Sequence, residues 1–194
     1  MRVTYRLATK VMKRLGIEFT FANAANPDDI AAAVRDNTAM ICTETPANPT
    51  LKCADIAVIS EIAQQAGATH VVDNTLLTPY YQQALELGAD VSVHSTTKYM
   101  DGHNATVGGA AISKSQEHAD AIRFIQNSTG SIMSPQVAWL TLQGCKTMSI
   151  RMDRQCANAM AVARFLETHP KVEQVAYPGP VSYTHLTLPT ILLV

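Results

Sequence analysis

Three apolar runs in this chain stop abruptly on a residue able to do chemistry, and helix-period stretches separate them. Residues 39–42 lead into Glu44, His70-Val71-Val72 ends at Asp73, and Val91-Ser92-Val93-His94 ends at Ser95. Short β-prone runs interleaved with helical segments predict an α/β domain of three layers, a mostly parallel sheet with helices on both faces. Sheets of that kind bind ligands beyond the carboxyl ends of their strands. Glu44, Asp73 and Ser95 are therefore marked by position before any chemistry is considered.

Local signals divide the rest of the chain. Asn26-Pro27-Asp28-Asp29 reads as a helix start, with a capping Asn, Pro at the first helical position and two acids at the positive end of the dipole. That helix runs through residues 30–34. Residues 55–66 form another, closed by Gly67 as a C-cap. Further helices are expected at 4–15, 116–126, 135–142 and 147–168, and further strands at 17–21, 107–113 and 172–177.

Composition narrows the function classes. At 194 residues the chain fits one domain or a large piece of one, and its 47% hydrophobic and 16% charged residues allow a core. Fifteen Lys and Arg against sixteen Asp and Glu give a net charge of -1, so there is no basic footprint for nucleic acid and no polybasic membrane patch. No apolar run reaches the roughly 18 residues of a membrane helix. The opening Met1-Arg2-Val3-Thr4-Tyr5-Arg6 lacks an apolar signal region, which points to a cytoplasmic protein. Cys42, Cys53, Cys145 and Cys156 form no C-x-x-C pair and are expected to act as small core hydrophobes.

The chemistry concentrates in Val93-His94-Ser95-Thr96-Thr97-Lys98-Tyr99, a lysine behind three hydroxyl residues with Gly102, Gly108 and Gly109 following. A lysine amine forms a Schiff base with an aldehyde. Hydroxyls beside it can hold a phosphate, and glycines let the backbone approach. An aldehyde and a phosphate on one molecule suggest pyridoxal 5'-phosphate. That ring withdraws electrons only with its pyridine nitrogen protonated, and a carboxylate beside the nitrogen keeps it so. Asp73 is the candidate. A solvated lysine after a strand and a turn-forming aspartate before Asn74 also fit this spacing.

Longer motifs carry a resemblance. Val71-Val72-Asp73-Asn74-Thr75 with Thr78-Pro79-Tyr80, Leu85-Glu86-Leu87-Gly88-Ala89-Asp90, and His94-Ser95-Thr96-Thr97-Lys98-Tyr99 with Gly102-His103 resemble the Cys/Met-metabolism family of trans-sulfuration enzymes. Glu44-Thr45-Pro46-Ala47-Asn48-Pro49 and Gly144-Cys145-Lys146-Thr147, Arg151-Met152, Asn158-Ala159, Tyr177-Pro178-Gly179 agree. The resemblance covers residues 4–179. It implies the large domain of a pyridoxal-phosphate-dependent transferase of the aspartate-aminotransferase-like fold. It implies that Lys98 carries the cofactor and moves protons, and that Asp73 pairs with the pyridine nitrogen. Ser95 and Thr97 would hold the phosphate, Asn48 the phenolic oxygen, and Thr75 would lie on the ring face. Glu44 would order its loop. It further implies a small amino-acid substrate, γ-replacement on an activated homoserine, and a dimer of dimers. Elimination by a cystathionine or methionine lyase would use the same residues.

Several features depart from that family. Its stacking tyrosine lies just before the glycines preceding T-Y-R-L, where this chain has Met1-Arg2-Val3. Its earlier phosphate cradle and Tyr-x-Arg, and its later carboxylate-gripping arginine, have no counterpart here. The chain is thus expected to be a truncated central portion, inactive alone. From Val181 to Thr190 the sequence resembles translated read-through of a sequencing adaptor. This divides the chain into a partial cofactor-binding domain, 1–179, and a non-native tail, 180–194. His94 and His103 lack a third ligand at metal spacing, so no metal is expected. Trp139 is assigned to the core, and Arg6, Arg151 and Arg154 to solvated or structural roles. A non-catalytic cofactor-binding protein is the rival from another class. A dinucleotide oxidoreductase lacks its G-x-G-x-x-G.

Overall fold

In the computed structural model, residues 2–178 are described; the proposed tail and Gly179 lie outside them. Strands β1 (Met40–Glu44), β2 (Thr69–Asp73) and β3 (Val91–Ser95) run parallel, and β4 (Gly109–Ser113) returns antiparallel beside β3, in the order β1-β2-β3-β4. The expected mostly parallel α/β sheet is present. β4 reverses because it leaves β3 through a turn at one end of the sheet instead of through a crossover helix.

Helix α1 (Arg2–Lys10) is followed by a 3-10 turn, and α2 (Pro27–Ala33) starts where the sequence placed it: the Asn26 side chain accepts from the Asp28 N–H at 3.3 Å. Helix α3 (Ile56–Gln65) is capped by Asp55, which accepts from Val58 N–H at 3.2 Å. A short α4 (Thr78–Tyr81) follows β2, and α5 (Gln116–Thr129), α6 (Pro135–Cys145) and α7 (Met148–Glu167) follow the sheet. Side chains alternate along β2, so Thr69 and His70 mark its two faces. His70 Nδ1 meets Ser60 Oγ of α3 at 2.7 Å, whereas Thr69 Oγ1 meets His118 Nε2 of α5 at 3.3 Å. Helices therefore cover both faces, as a three-layer domain requires.

Burial is divided among separate clusters. Ile41, Ile59 and Ala63 join Ile30 and Ala68 between β1, α2 and α3. Val72 packs with Ile56, Ala84 and Ala89. Leu77, Met152 and Cys156 hold α7 against the segment after β2, with Tyr81 and Tyr99 at their margin.

Four expectations are corrected. Residues 17–21 and 172–177 form no strand, because β-propensity needs a neighbour and neither segment pairs with β1 or β4. Phe19 and Phe21 are exposed, and Tyr177 instead donates its hydroxyl to Met160 Sδ at 3.1 Å. Trp139 is 59% exposed. The inward stripe of α6 consists of Thr141 and Gly144, and the helical period carries residue 139 to the other side. Among the cysteines only Cys156 is buried, while Cys42 is exposed.

Small residues set the closest approaches. A Cβ on Gly144 would overlap the backbone carbonyl of Asp101, so the end of α6 abuts the chain beyond Lys98. Backbone cannot swing aside as a flexible side chain does. Gly144→Ala is therefore expected to lower stability by about 1–3 kcal/mol. A urea midpoint followed by circular dichroism checks this, and an unchanged midpoint would contradict the contact.

His70 is fully buried between two hydroxyls, with Thr43 Oγ1 2.9 Å from Nε2 opposite the Ser60 contact. Burial pushes its imidazole from the ordinary 6.5 down to about 4, against an opposing pull from Asp90. Between those values the folded chain binds fewer protons than the unfolded one, so stability is complete above pH 6.5 and is lost as pH falls toward 4. The expected loss is up to about 3 kcal/mol. Comparing urea midpoints of the parent and His70→Gln across this range isolates the effect: the parent should show the steeper acid loss.

Candidate active site

Glu44, Asp73 and Ser95 each end a strand, and the register places Glu44 opposite Asp73 and Asp73 opposite Val93. Alternation gives Val93 and Ser95 the same face, so all three residues lie on the face away from α3 at one edge of the sheet. They are joined by a chain of bonds. Asp73 Oδ1 accepts from the Thr75 hydroxyl at 2.6 Å and from its N–H at 3.0 Å. The same Thr75 hydroxyl accepts the Ser95 N–H at 2.8 Å. A hydroxyl with one proton and free lone pairs can do both, and it fixes the carboxylate across two strand ends.

Lys98 stands on a turn one step beyond. Its N–H donates to Ser95 O at 3.2 Å, and its own carbonyl accepts from Gly102 N–H at 2.8 Å. The turn is closed by Asp101 N–H donating to Thr96 O at 2.9 Å. The lysine side chain is exposed rather than enclosed. Thr97 faces the returning chain: Gly108 N–H donates to its hydroxyl at 3.0 Å, and the hydroxyl donates to Gly108 O at 3.3 Å, a proton it would have to turn toward a phosphate to hold one. The first bond uses one of the hydroxyl's acceptor positions and ties the residue to the start of β4.

Asn48 arrives from the loop after β1. Its N–H donates to Glu44 Oε1 at 3.2 Å, so Glu44 orders this loop as expected. Behind the loop lies a buried amide pair that the sequence did not reveal. Gln82 Nε2 donates to Thr45 O at 3.1 Å and to Asn74 Oδ1 at 2.9 Å, and Asn74 Nδ2 donates to Gln82 O at 2.6 Å. The pair locks the Asn48 loop to the residue after Asp73. The -D-N- dipeptide and Gln82 were visible, but nothing local showed that they meet.

Asp101 is another residue that sequence reasoning did not single out. It is buried, and accepts from Ala105 N–H at 2.9 Å and His103 N–H at 3.3 Å. Burial alone would raise its pKa, but these bonds and those from Thr106 prevail and hold it below the usual carboxylate range. His94 packs inward with Ser92 Oγ 3.0 Å from Nε2, and burial lowers its imidazole despite the nearby Asp73 charge. Among the described residues no group of His, Cys, Asp and Glu has metal-binding geometry, and no helix is long and apolar enough to cross a membrane.

The structure thus brings Asp73, Thr75, Ser95 and Lys98 into one bonded series, with Asn48 joined through Glu44 and Thr97 through Gly108. Known proteins resemble the chain in sequence and in fold. A family model described as Cys/Met metabolism PLP-dependent enzyme matches residues 1–188. The cystathionine gamma-lyase of Bacillus subtilis is 47% identical over 176 residues, covering 91% of this chain and 46% of the relative. The cystathionine gamma-synthase of Mycobacterium bovis is 44% identical over 180 residues, covering 93% and 46% respectively. The crystal structure of metB from Corynebacterium glutamicum superposes with a TM-score of 0.89 at 43% identity, covering 91% of this chain and 46% of that one. The chain spans about half the length of these relatives. It belongs to the Cys/Met-metabolism family of pyridoxal-phosphate-dependent enzymes.

Proposed function

We propose that the protein carrying this chain is a trans-sulfuration enzyme that makes or breaks a C–S bond on a small amino acid, by γ-replacement on an activated homoserine. The observation that carries the reading is the bonded series from Asp73 through Thr75 and Ser95 to the Lys98 turn. The donor set suits pyridoxal 5'-phosphate: a fixed carboxylate for a pyridinium, a strand-end hydroxyl for a phosphate, and an exposed primary amine for an aldehyde. When bound, that cofactor supplies an electron sink for charge developing at the substrate's α-carbon.

The residues divide the work. Asp73, oriented through Oδ1, presents its carboxylate to the ring nitrogen. Ser95 and Thr97 would receive the phosphate, and Asn48 would meet the phenolic oxygen. Thr75 fixes Asp73 and would lie on the ring face. Lys98 Nζ would take the proton from the substrate's Cα and then one from Cβ, so that the activated oxygen leaves Cγ as a carboxylic acid and the thiol sulfur bonds there in its place; the amine on its exposed turn would then return a proton to each carbon. The relatives are named both synthase and lyase, which keeps elimination as the second reading. Exposed Phe124, Ile132, Trp139, Leu142 and Ile150 suit a subunit contact, which supports a homo-oligomer. The absence of a membrane-crossing helix among the described residues agrees with a cytoplasmic site of action.

Pyridoxal 5'-phosphate followed by borohydride should label Lys98 and no other lysine, as read by peptide mass spectrometry. Lys98→Ala should remove the label. Asp73→Asn should weaken cofactor retention by about 10- to 100-fold, the worth of a hydrogen bond to a charged group. An unlabelled parent would overturn the reading. Product analysis with an O-acylhomoserine and a thiol separates the chemistry: a new thioether supports replacement, and an oxoacid with ammonia supports elimination. Labelling with neither product supports the non-catalytic rival.

A further inference from the structure

We propose that Arg151 is a positioning residue for Lys98, and that it acts by fixing the turn on which the lysine is carried. The proposal rests on the function assigned above and adds to it a residue outside the cofactor-binding set. Arg151 lies near the start of α7, far along the sequence from Lys98. Its guanidinium is shared among three elements. NH1 donates to Tyr99 O at 2.9 Å, NH2 to Gly144 O at 2.8 Å, and Nε to Thr147 Oγ1 at 3.1 Å.

Each acceptor has a reason to want a fixed cation. Tyr99 is the residue after Lys98. Gly144 lies in the last turn of α6, where its carbonyl also accepts the Thr147 N–H at 3.2 Å and hydroxyl at 3.3 Å and where the helix dipole favours positive charge. Thr147 precedes α7 and aims the fork from below. A planar guanidinium with donors in fixed directions can serve all three at once.

The space around the group is closed as well. Gly102 has φ +67°, and a Cβ there would overlap the guanidinium. On the far side Gly144 abuts Asp101 so closely that it too cannot carry a Cβ. Gly102 supplies the N–H that holds the Lys98 carbonyl at 2.8 Å. The guanidinium therefore packs on the residue that clamps the Lys98 backbone, and it bonds the residue next to Lys98. Removing it frees both Tyr99 O and the space over Gly102, and the turn can relax away from Ser95.

The test compares two ligands in the full protein that carries this sequence. Pyridoxal 5'-phosphate needs Lys98 to bond covalently. Pyridoxine 5'-phosphate, an alcohol, offers the same ring and phosphate but cannot condense with the amine. Arg151→Gln is expected to slow borohydride-trapped labelling of Lys98 by about 10- to 100-fold, the cost of misplacing a reacting group by about 1 Å. Binding of pyridoxine 5'-phosphate should stay within about twofold, because Asp73, Ser95 and Thr97 are untouched. Arg151→Lys keeps the charge but loses the fork, and should not restore the rate. Thr147→Val removes the Nε acceptor and the hydroxyl's own bond to Gly144 O at 3.3 Å but leaves the guanidinium's two carbonyl contacts, and should give a smaller loss; it carries the test if the Arg151 variants do not fold.

Unchanged labelling, equal loss of both ligands, or full rescue by lysine would each overturn the proposal. A readout without cofactor separates its failure from that of the functional reading. Amide exchange at Gly102 should quicken about tenfold in Arg151→Gln if the turn has loosened. Unchanged exchange there would sink the positioning role even if the parent were labelled. Faster exchange with an unlabelled parent would sink the enzyme assignment and leave the role of Arg151 in the turn standing.

Discussion

The hydroxyl of Thr75 is the point on which the site depends. It takes the N–H of Ser95 from one strand end and gives its proton to Asp73 on the next. Parallel strands bring their carboxyl ends side by side but leave the groups beyond the ladder unpaired. A side chain that both accepts and donates turns two such ends into one rigid edge. The carboxylate is then aimed by the sheet itself, and Ser95 is tied to the same atom. Few arrangements orient a charged group with so few atoms, and its stiffness comes from the backbone on either side.

Around that edge the chain is held by polar contacts between segments distant in sequence. The buried Gln82–Asn74 pair anchors the Asn48 loop to the end of β2. Arg151 ties the Lys98 turn to α6 and α7. Tyr80 and Tyr81 both donate to the carboxylate of Asp153, at 3.0 and 2.6 Å, joining α4 to α7. Loops that must present chemistry at a sheet edge cannot be secured by an apolar core, because the core lies below them. Directed hydrogen bonds do that work, and buried polar groups with full partners are rigid.

The contrast between what the sequence revealed and what it hid follows from range. Helix caps act over three residues: Asn26 caps as read, and Asp55, read as the first residue of its helix, is that helix's cap. The strand ends at Asp73 and Ser95 coincide with the end of apolar runs, so position and chemistry could be read together. Strand formation at 17–21 and 172–177 failed because a β-prone run says nothing about whether an edge is available to it. Trp139 was assigned inward on hydrophobicity, but α6 turns Thr141 and Gly144 inward because only small groups fit beside Asp101. The bond from Arg151 to Tyr99 spans 52 positions, and no local pattern announces it. The hydroxyl-rich run marked Lys98 and the motif resemblance marked Asn48 as candidates; neither showed the supports that hold them.

The division of the interior into separate clusters has a consequence for how the protein wears out. The sheet with α3 rests on one set of aliphatic contacts, whereas α7 is fastened by a small group around Leu77, Met152 and Cys156. That group contains a thioether and a thiol, both buried, and burial also pushes the Cys156 thiol up, so neither meets an oxidant until α7 lifts. Oxidation after such an opening would reach the scaffold behind the amine while leaving the strands in register, so a damaged molecule could retain its overall shape and lose the alignment on which its chemistry rests.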